Sequence, residues 1–230
     1  MKYNITHKCG HEATMNLTGP YKERESRIEW LSSQDCTDCY RAAQLEAAKA
    51  KAKAENMAEL QGSEKQIAWA ETIRAKKISQ ISAIAEGEQD KNALHKLYRR
   101  NMAIFWINRR DSSAQSILAE AVRREMMLSY KKAHSDMPAL EGTPEQVAQA
   151  EDIRAMLLAE IEALIDSAKP YIADMPAATK AKYEASCADA EWIAAQTSAE
   201  WWLGHKNSFG KIILKQVGEQ RVAATTGGRK

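Results

Sequence analysis

The sequence predicts a mainly helical protein, with a small α+β module at its N-terminus and two related helical units after it. Three observations lead to this fold class. Alanine, the strongest helix former, occurs 39 times in 230 residues, whereas glycine occurs 10 times and proline 5 times. Cysteine and histidine concentrate within residues 1–40, and two later stretches repeat one pattern. The length suits one large or two small domains, enough for a hydrophobic core.

The N-terminal module, residues 1–40, begins with the pattern of a β-hairpin over Met1–Asn16. Gly10 lies in the Cys-Gly-His stretch at its tip and suits a tight turn. Ser26–Ser32 then predicts a short helix, in which we expect Trp30 to belong to the core. The apolar residues that share one face of the hairpin are Tyr3, Ile5, Met15 and Leu17.

The module also holds the residues of a metal site. Cys36 and Cys39 form a Cys-x-x-Cys, in which two thiolates can chelate one ion, and Cys9 with His11 supplies a second pair. We expect these four residues to bind Zn²⁺. His7 competes with His11 as the fourth ligand because it too lies two residues from Cys9, and we favour His11 because it follows the turn glycine. Four protein ligands leave no open position for catalysis, so the metal would stabilise the module.

Two alternatives to zinc stay open at this point. One is a redox-active cysteine pair, which needs a thioredoxin-like βαβ frame that the sequence does not show. The other is a set of unligated cysteines in a reducing compartment. The four cysteines are too few for a disulfide scaffold in a chain of this length.

A long helix is predicted to leave the module and form a connector over residues 41–60. Tyr40–Leu60 is rich in alanine, lysine, glutamate and glutamine and contains neither glycine nor proline. Lys49 and Lys53 share a face of this helix, and we interpret that face as a solvated surface.

Two stretches then repeat each other at a spacing of eighty residues. Gln61–Arg74 matches Glu141–Arg154, and each begins with the residues of a capping box. Ser63 in the first stretch and Thr143 in the second are the expected N-caps. A long amphipathic helix is therefore predicted at the start of each repeat.

A second match, at a spacing of ninety-six residues, relates Ala103–Arg110 to Ala199–Lys206. Each of these stretches has an aromatic pair before a basic end. We therefore expect a duplication, with a first copy over residues 61–136 and a second copy over residues 141–207. The helix predicted at Ser113–His134 closes the first copy.

A basic tail, residues 208–230, completes the chain. Lys211–Val217 is rich in β-branched residues, and we expect it to form a strand beside the N-terminal hairpin. Thr225–Lys230 is expected to be disordered.

The formal net charge of +2 conceals an uneven distribution along the chain. Residues 61–110 carry ten basic and five acidic side chains, whereas residues 141–203 carry four basic and twelve acidic ones. Residues 204–230 carry six basic and one acidic. The first copy and the tail suit nucleic acid, and the second copy suits a basic partner surface. Opposite charges also suit pairing of the two copies, within one chain or across a homodimer.

Five basic residues are the candidates for nucleic-acid contacts: Lys22, Arg24, Arg27, Arg109 and Arg110. Arg109 and Arg110 follow Trp106, and an aromatic ring beside guanidinium groups suits base stacking and phosphate binding. The alternative for the aromatic pairs of both copies is burial against the capped helix of the same copy, where Trp69 needs apolar partners. Trp192 is expected in the core for the same reason.

These motifs together resemble an uncharacterised protein family found in bacterial genomes and their mobile elements. The resemblance implies a zinc-knuckle-like module followed by a helical module, and it implies no activity. It covers about residues 1–110, and the second copy departs from it, with Gln149 at the position of the repeat tryptophan. The shared motifs are Cys-Gly-His at 9–11, Lys-x-Arg leading to Trp-Leu within 22–31, Cys-x-x-Cys-Tyr at 36–40, Gly-Ser-x-Lys-Gln-Ile-x-Trp-Ala-x-x-Ile-Arg at 62–74, and Trp-Ile-x-x-Arg at 106–110.

Two functions follow as hypotheses. The first is a zinc-containing binding protein that contacts nucleic acid through its basic first copy. The second, suggested by the mobile-element resemblance, is a phage or mobile-element protein that inhibits a host defence complex, such as a CRISPR-type complex that targets nucleic acid. In that case the docking residues lie in the acidic second copy: Glu151, Asp152, Glu160 and Glu162.

The motifs of the common enzyme classes are missing. The sequence has no glycine-rich phosphate loop, no Gly-x-Ser-x-Gly and no His-Glu-x-x-His. We therefore expect a binding protein that is not an enzyme. Neither a long apolar stretch nor an apolar signal core within residues 1–20 is present, so we expect a cytoplasmic protein without a membrane span.

Overall fold

The computed structural model describes the backbone of residues 1–227 and the side chains of residues 1–224. The fold is mainly helical with a small N-terminal sheet, as predicted. The elements have the following bounds: β1 Lys2–Thr6, β2 Glu12–Asn16, α1 Tyr21–Ser32, α2 Thr37–Ala54, α3 Glu64–Ser82, α4 Glu88–Tyr98, α5 Ala103–Asn108, α6 Ala114–Ala133, α7 Pro144–Ala168, a 3-10 helix Lys169–Asp174, α8 Ala177–Ala194, α9 Ala199–Gly204 and α10 Gly210–Gly227.

The chain divides into two compact units. The N-terminal unit spans Met1–Leu118, and the C-terminal unit runs from Ala119 onward. The boundary falls within α6, which the sequence predicts over Ser113–His134 and the structure places at Ala114–Ala133. Among the described residues, no helix combines the length and the apolar character that a membrane crossing requires.

The N-terminal hairpin is confirmed, with β1 antiparallel to β2 and Ile5 opposite Ala13. Ile5, Leu17 and Leu31 form a small buried core, against which Tyr3 and Ile28 pack. Met15, which the sequence places on the same face, is 37% exposed.

Helix α1 differs from the prediction in two respects. It begins at Tyr21, five residues before the predicted start, with Pro20 at its N-cap position. Trp30 is 59% exposed, so its expected place in the core is wrong. Ile28 and Leu31, three residues apart, supply the inner face of this helix instead.

Helix α2 ends at Ala54, before the predicted end at Leu60. Asn56 adopts φ +50°, a left-handed conformation that asparagine tolerates better than most residues. The N–H of Met57 donates to the Ala52 carbonyl oxygen and that of Asn56 to Lys53, the two hydrogen bonds of a Schellman motif. This cap stops the connector helix despite its favourable composition.

The helix starts in the two copies share their local structure. Ser63 and Thr143 both form complete capping boxes, with Gln66 and Gln146 respectively. Gly62 and Gly142 have φ +155° and +158°. A Cβ at Gly62 would lie 3.2 Å from the Cβ of Ala103, and a Cβ at Gly142 would lie 2.9 Å from the Cβ of Ala199. Glycine is therefore required where the chain passes close to α5 or α9.

The later stretches of the two copies also make matching contacts. Trp106 Nε1 donates to the Arg100 carbonyl oxygen at 3.2 Å, and Trp202 Nε1 donates to that of Gln196 at 3.0 Å. Both tryptophans are fully buried. The predicted burial of the second aromatic residue of each pair against its own copy is therefore confirmed.

The tail forms helix α10, so the strand predicted for Lys211–Val217 is wrong. Ile213 is fully buried, and Val217, four residues later, packs against the same core. Tertiary packing at helical spacing overrides the β-preference of the branched residues. The helix continues to Gly227, which contradicts the expected disorder for residues 225–227, and residues 228–230 lie outside the described part of the chain.

Candidate metal centre and nucleic-acid surface

The turn between β1 and β2 presents the first two candidate ligands, Cys9 and His11. Gly10 between them has φ +83°, a conformation that glycine adopts with little strain and other residues rarely adopt. Its N–H donates to the His7 carbonyl oxygen at 2.8 Å, and the His7 N–H donates to that of His11 at 2.9 Å. These hydrogen bonds fix a tight turn, which directs the side chains of Cys9 and His11 towards α2.

Helix α2 presents the other two ligands from its first turn. Cys36 is the N-cap, and its Sγ accepts a hydrogen bond from the Cys39 N–H at 3.4 Å. The Cys36 N–H donates to Cys9 Sγ at 3.2 Å and so joins the hairpin turn to the helix. The positive end of the helix dipole faces these sulfur atoms.

The four ligand atoms of Cys9, His11, Cys36 and Cys39 all lie within 4.8 Å of one another. His11 Nδ1 is 3.6 Å from Cys36 Sγ and 3.3 Å from Cys39 Sγ. Zinc bonds of about 2.3 Å to sulfur and about 2.0 Å to nitrogen place tetrahedral ligands roughly 3.5–3.8 Å apart. The cluster can therefore hold a metal ion, and its donors are those of structural zinc sites.

His7 lies outside this cluster. Its Nδ1 donates to the Leu31 carbonyl oxygen at 3.0 Å, which ties β1 to the end of α1. Of the two histidines that compete as the fourth ligand in the sequence, the structure brings His11 to the three cysteines.

Cys9 and Cys39 have strongly shifted pKa values. Hydrogen bonds from the backbone N–H groups of Cys36 and His11 lower the pKa of Cys9 from 9.0 to about 6. A hydrogen bond with the Cys36 side chain, together with desolvation, raises the pKa of Cys39 to about 12. Cys39 therefore holds its proton until a cation displaces it, as metal binding to thiols requires.

The basic candidates of the N-terminal unit occupy two places. Lys22 and Arg27 are exposed on α1, and Arg24 donates to the Gly19 carbonyl oxygen at 3.0 Å. Arg109 and Arg110 follow the short helix α5, where aromatic rings contact both guanidinium groups and the Arg110 Nε also donates to the Asp111 carboxylate at 2.9 Å. The Arg109 group lies 3.9 Å from the centroid of the Phe105 ring, and the Arg110 group lies 5.5 Å from that of Trp69.

Two exposed aromatic residues were not among the predicted site residues. Tyr40 is 59% exposed and Trp69 is 46% exposed, although the sequence suggested apolar packing for Trp69. Signals for both existed in the sequence. Tyr40 directly follows the candidate ligand Cys39, and Gln149 replaces Trp69 in the second copy, where a buried position would keep an apolar residue. Trp192 is likewise 50% exposed, so its predicted burial is wrong.

The acidic candidates differ among themselves. Glu151 is exposed, whereas Asp152 pairs with Lys131, and Glu162 lies 3.8 Å from His134 Nε2. Glu160 makes contacts inside the C-terminal unit, where its carboxylate accepts hydrogen bonds from Arg123 Nε at 2.5 Å and from the Gly210 N–H at 2.7 Å. Its carboxylate therefore anchors the start of α10.

No protein-family model, curated protein or solved structure matches this chain.

Proposed function

We propose that this protein is a zinc-stabilised nucleic-acid-binding protein without catalytic activity, and that its N-terminal unit makes the contacts. The observation that supports the proposal is the placement of Arg109 and Arg110. Both guanidinium groups lie over aromatic rings, and Arg110 is exposed. Aromatic contacts hold a guanidinium in place, so it loses little freedom when it binds a phosphate.

The charge of the surrounding sequence supports the same function. The net charge of residues 61–110 is +5, which attracts a polyanion and speeds its association. Lys22 and Arg27 add exposed positive charge on α1. The Cys9, His11, Cys36 and Cys39 cluster has a structural part in this proposal, because its four protein donors would fill a tetrahedral zinc site.

The double variant Arg109→Ala, Arg110→Ala tests the proposal. We expect weaker binding of labelled DNA and RNA oligonucleotides in fluorescence anisotropy, and a salt dependence less steep by about 1.4 in log–log slope for single strands, because two phosphate contacts are lost. The matched control is Lys180→Ala with Lys182→Ala, which removes the same charge from α8. Equal binding by wild type and the arginine variant would contradict the proposal.

A second candidate function follows from the acidic second copy. Residues 141–203 carry twelve acidic and four basic side chains, and Glu145 and Glu151 are exposed on α7. Such a surface suits a basic protein that handles nucleic acid, as a phage or mobile-element inhibitor of a host defence complex would require.

Charge reversal at Glu145 and Glu151 distinguishes this candidate from the first. Under the inhibitor hypothesis, Glu145→Lys with Glu151→Lys abolishes capture of a nucleic-acid-targeting complex and leaves binding to free oligonucleotides intact. Under the first proposal, the same reversal leaves the oligonucleotide affinity unchanged or raises it. Loss of capture with unchanged folding would favour the inhibitor.

A further inference from the structure

A groove runs between α2 and α3 within the N-terminal unit. It has two adjoining sections of about 570 and about 620 Å³, which share Gln44 and Thr72 in their walls. Tyr40 and Trp69 line the first section. From Tyr40 to Lys51 the groove follows about 16 Å of α2, at a helical rise of about 1.5 Å per residue.

The charged side chains along this groove are all basic: Arg41, Lys51, Lys65 and Lys76. No acidic residue is among those that line either section. Lys51 lies 3.7 Å from the Glu55 carboxylate, which partly neutralises it. Arg41, Lys65 and Lys76 are exposed, and within the described residues 1–224 none of them has an acidic partner. Their charges therefore remain available to an anionic ligand.

The aromatic residues of the groove indicate a second property that the ligand should have, besides its negative charge. Trp69 is 46% exposed even with the Arg110 guanidinium 5.5 Å from its ring centroid, and Tyr40 is 59% exposed. Large aromatic surfaces left in water beside lysine and arginine suit a ligand that carries both negative charge and flat apolar rings. Unpaired bases offer such rings, whereas those of a duplex are stacked on each other.

The second copy lacks this combination of residues. At the spacing of eighty residues, Glu145 stands at the position of Lys65, Gln149 at that of Trp69, and Asp152 at that of Thr72. The first helix of that copy keeps the capping box and the buried positions of α3 except that of Glu71, whose counterpart Glu151 is exposed. The two copies thus share their packing residues and differ in the residues that would contact a ligand.

We propose that the groove between α2 and α3 binds single-stranded nucleic acid, with bases stacked on Trp69 and Tyr40 and phosphates held by Arg41, Lys65 and Lys76. This inference rests on the proposed function and specifies its site and its ligand. The first turn of α2 carries Cys36 and Cys39, so the metal centre fixes the end of the groove at which Tyr40 and Arg41 lie.

The test introduces residues of the second copy into the first. Trp69→Gln and Lys65→Glu change exposed positions of α3, so both variants keep the packing of the helix. The probes are a labelled oligothymidine, a labelled oligouridine and a labelled DNA duplex, each titrated with the full-length protein across a salt series. Trp192→Gln and Lys91→Glu are the matched controls, because each makes the same change at an exposed position that does not line the groove.

We expect Trp69→Gln to weaken oligothymidine binding by roughly 5- to 150-fold, the loss of one stacked base. Lys65→Glu should make the log–log salt slope less steep by about 0.7 or more. Both controls should bind as the wild type does. If the groove variants lose more affinity for oligouridine than for oligothymidine, RNA is the preferred single strand. If they lose more affinity for oligothymidine, DNA is preferred.

Three outcomes would overturn the inference. If the wild type binds single strands and both groove variants bind equally well, the groove is wrong and the proposed function stands. If the wild type binds the duplex more tightly than either single strand, the ligand is wrong. If the wild type binds none of the probes at low salt, the proposed function fails and this inference with it.

Discussion

Cys36 combines two roles that a single substitution can separate. Its Sγ caps α2 by accepting the Cys39 N–H, and the same atom belongs to the metal cluster. A serine hydroxyl caps a helix at least as well as a thiol but is a poor zinc ligand. Cys36→Ser therefore removes the ligand and keeps the cap.

For Cys36→Ser we expect loss of bound zinc, whereas the wild type should hold about one zinc per chain, measured by elemental analysis. The first forty or so residues are too few to fold on their own core, so trypsin should cleave the N-terminal module of the variant and spare its C-terminal unit. A variant without zinc that keeps wild-type resistance to trypsin would refute the stabilising role of the metal.

The two histidines of the module provide a second comparison at the same scale. His11→Ala should lose zinc, because its Nδ1 lies 3.6 and 3.3 Å from the sulfur atoms of Cys36 and Cys39. His7→Ala should retain zinc and lose only the hydrogen bond to the Leu31 carbonyl oxygen, worth about 1 kcal/mol of unfolding free energy. Zinc retained by His11→Ala and lost by His7→Ala would reverse the assignment.

The candidate ligands of this module, with His11 preferred to His7, could be predicted from the sequence, but the contact that keeps His7 away from the cysteines could not. Cysteine spacing identifies the donors, and both histidines lie two residues from Cys9. Their directions depend on the turn at Gly10 and on the Leu31 carbonyl, a contact between residues far apart in sequence. Spacing alone carries no information on such a contact.

Among the elements, α3 and α7 each contain a buried arginine at the same position of the repeat, and the two arginines make different contacts. Arg74 in α3 donates to the Ala58 carbonyl oxygen and to both carboxylate oxygens of Glu71, and the pair is buried. Arg154 in α7 donates to the Pro138 carbonyl oxygen in the corresponding place. Burial lowers the pKa of Arg154, and the negative charge of Glu151 partly offsets this shift. Each arginine therefore binds the backbone of the segment that precedes its helix, at Ala58 or at Pro138.

Arg74→Met should therefore destabilise the protein more than Arg154→Met. The first change leaves the Glu71 carboxylate buried without its partner, at a cost of about 3–5 kcal/mol. The second removes a donor from one carbonyl, at about 1–3 kcal/mol. Urea unfolding followed by circular dichroism compares the two. Replacing Glu71 and Arg74 together by leucine and methionine should recover most of the loss, and equal losses for the two single variants would contradict this account.

Helix α10 shows which element could not be assigned correctly from local composition. Its branched residues favour a strand, yet Ile213 and Val217 lie four residues apart and face the core formed by α7 and α8. The repeat contains the missing information, because Ile213 lies ninety-six residues after Ile117, which is buried in the correctly predicted α6. Extending the duplication through the tail would have predicted the helix.

Within the N-terminal unit, the metal centre and the α2–α3 groove share the first turn of α2. Tyr40 and Arg41 follow Cys39 directly, and the Tyr40 N–H donates to the Cys36 carbonyl oxygen at 2.9 Å. A bound metal would thus fix Tyr40 and Arg41, two of the proposed contact residues, whereas Lys65 and Trp69 depend on α3. The proposed site is built from two elements, of which one would rely on the metal.

Removal of zinc by a chelator should therefore weaken oligothymidine binding without abolishing it, because the α3 contacts persist. Zinc added back should restore the affinity. The measurement is fluorescence anisotropy on the same sample before chelation, after it, and after reconstitution, with the metal content determined each time. An affinity that stays the same when zinc is absent would show that the two sites are independent.

For the whole molecule, the central claim is that a chain of nearly balanced charge binds nucleic acid through its basic N-terminal unit. The most direct measurement is the affinity of the full-length, zinc-loaded protein for labelled oligothymidine at a series of salt concentrations. Contacts from Arg41, Lys65 and Lys76 predict a log–log slope of about −2, and more if Arg109 and Arg110 also contact phosphates. A flat salt dependence, or no binding at low salt, would contradict the claim and favour a protein partner for the acidic second copy.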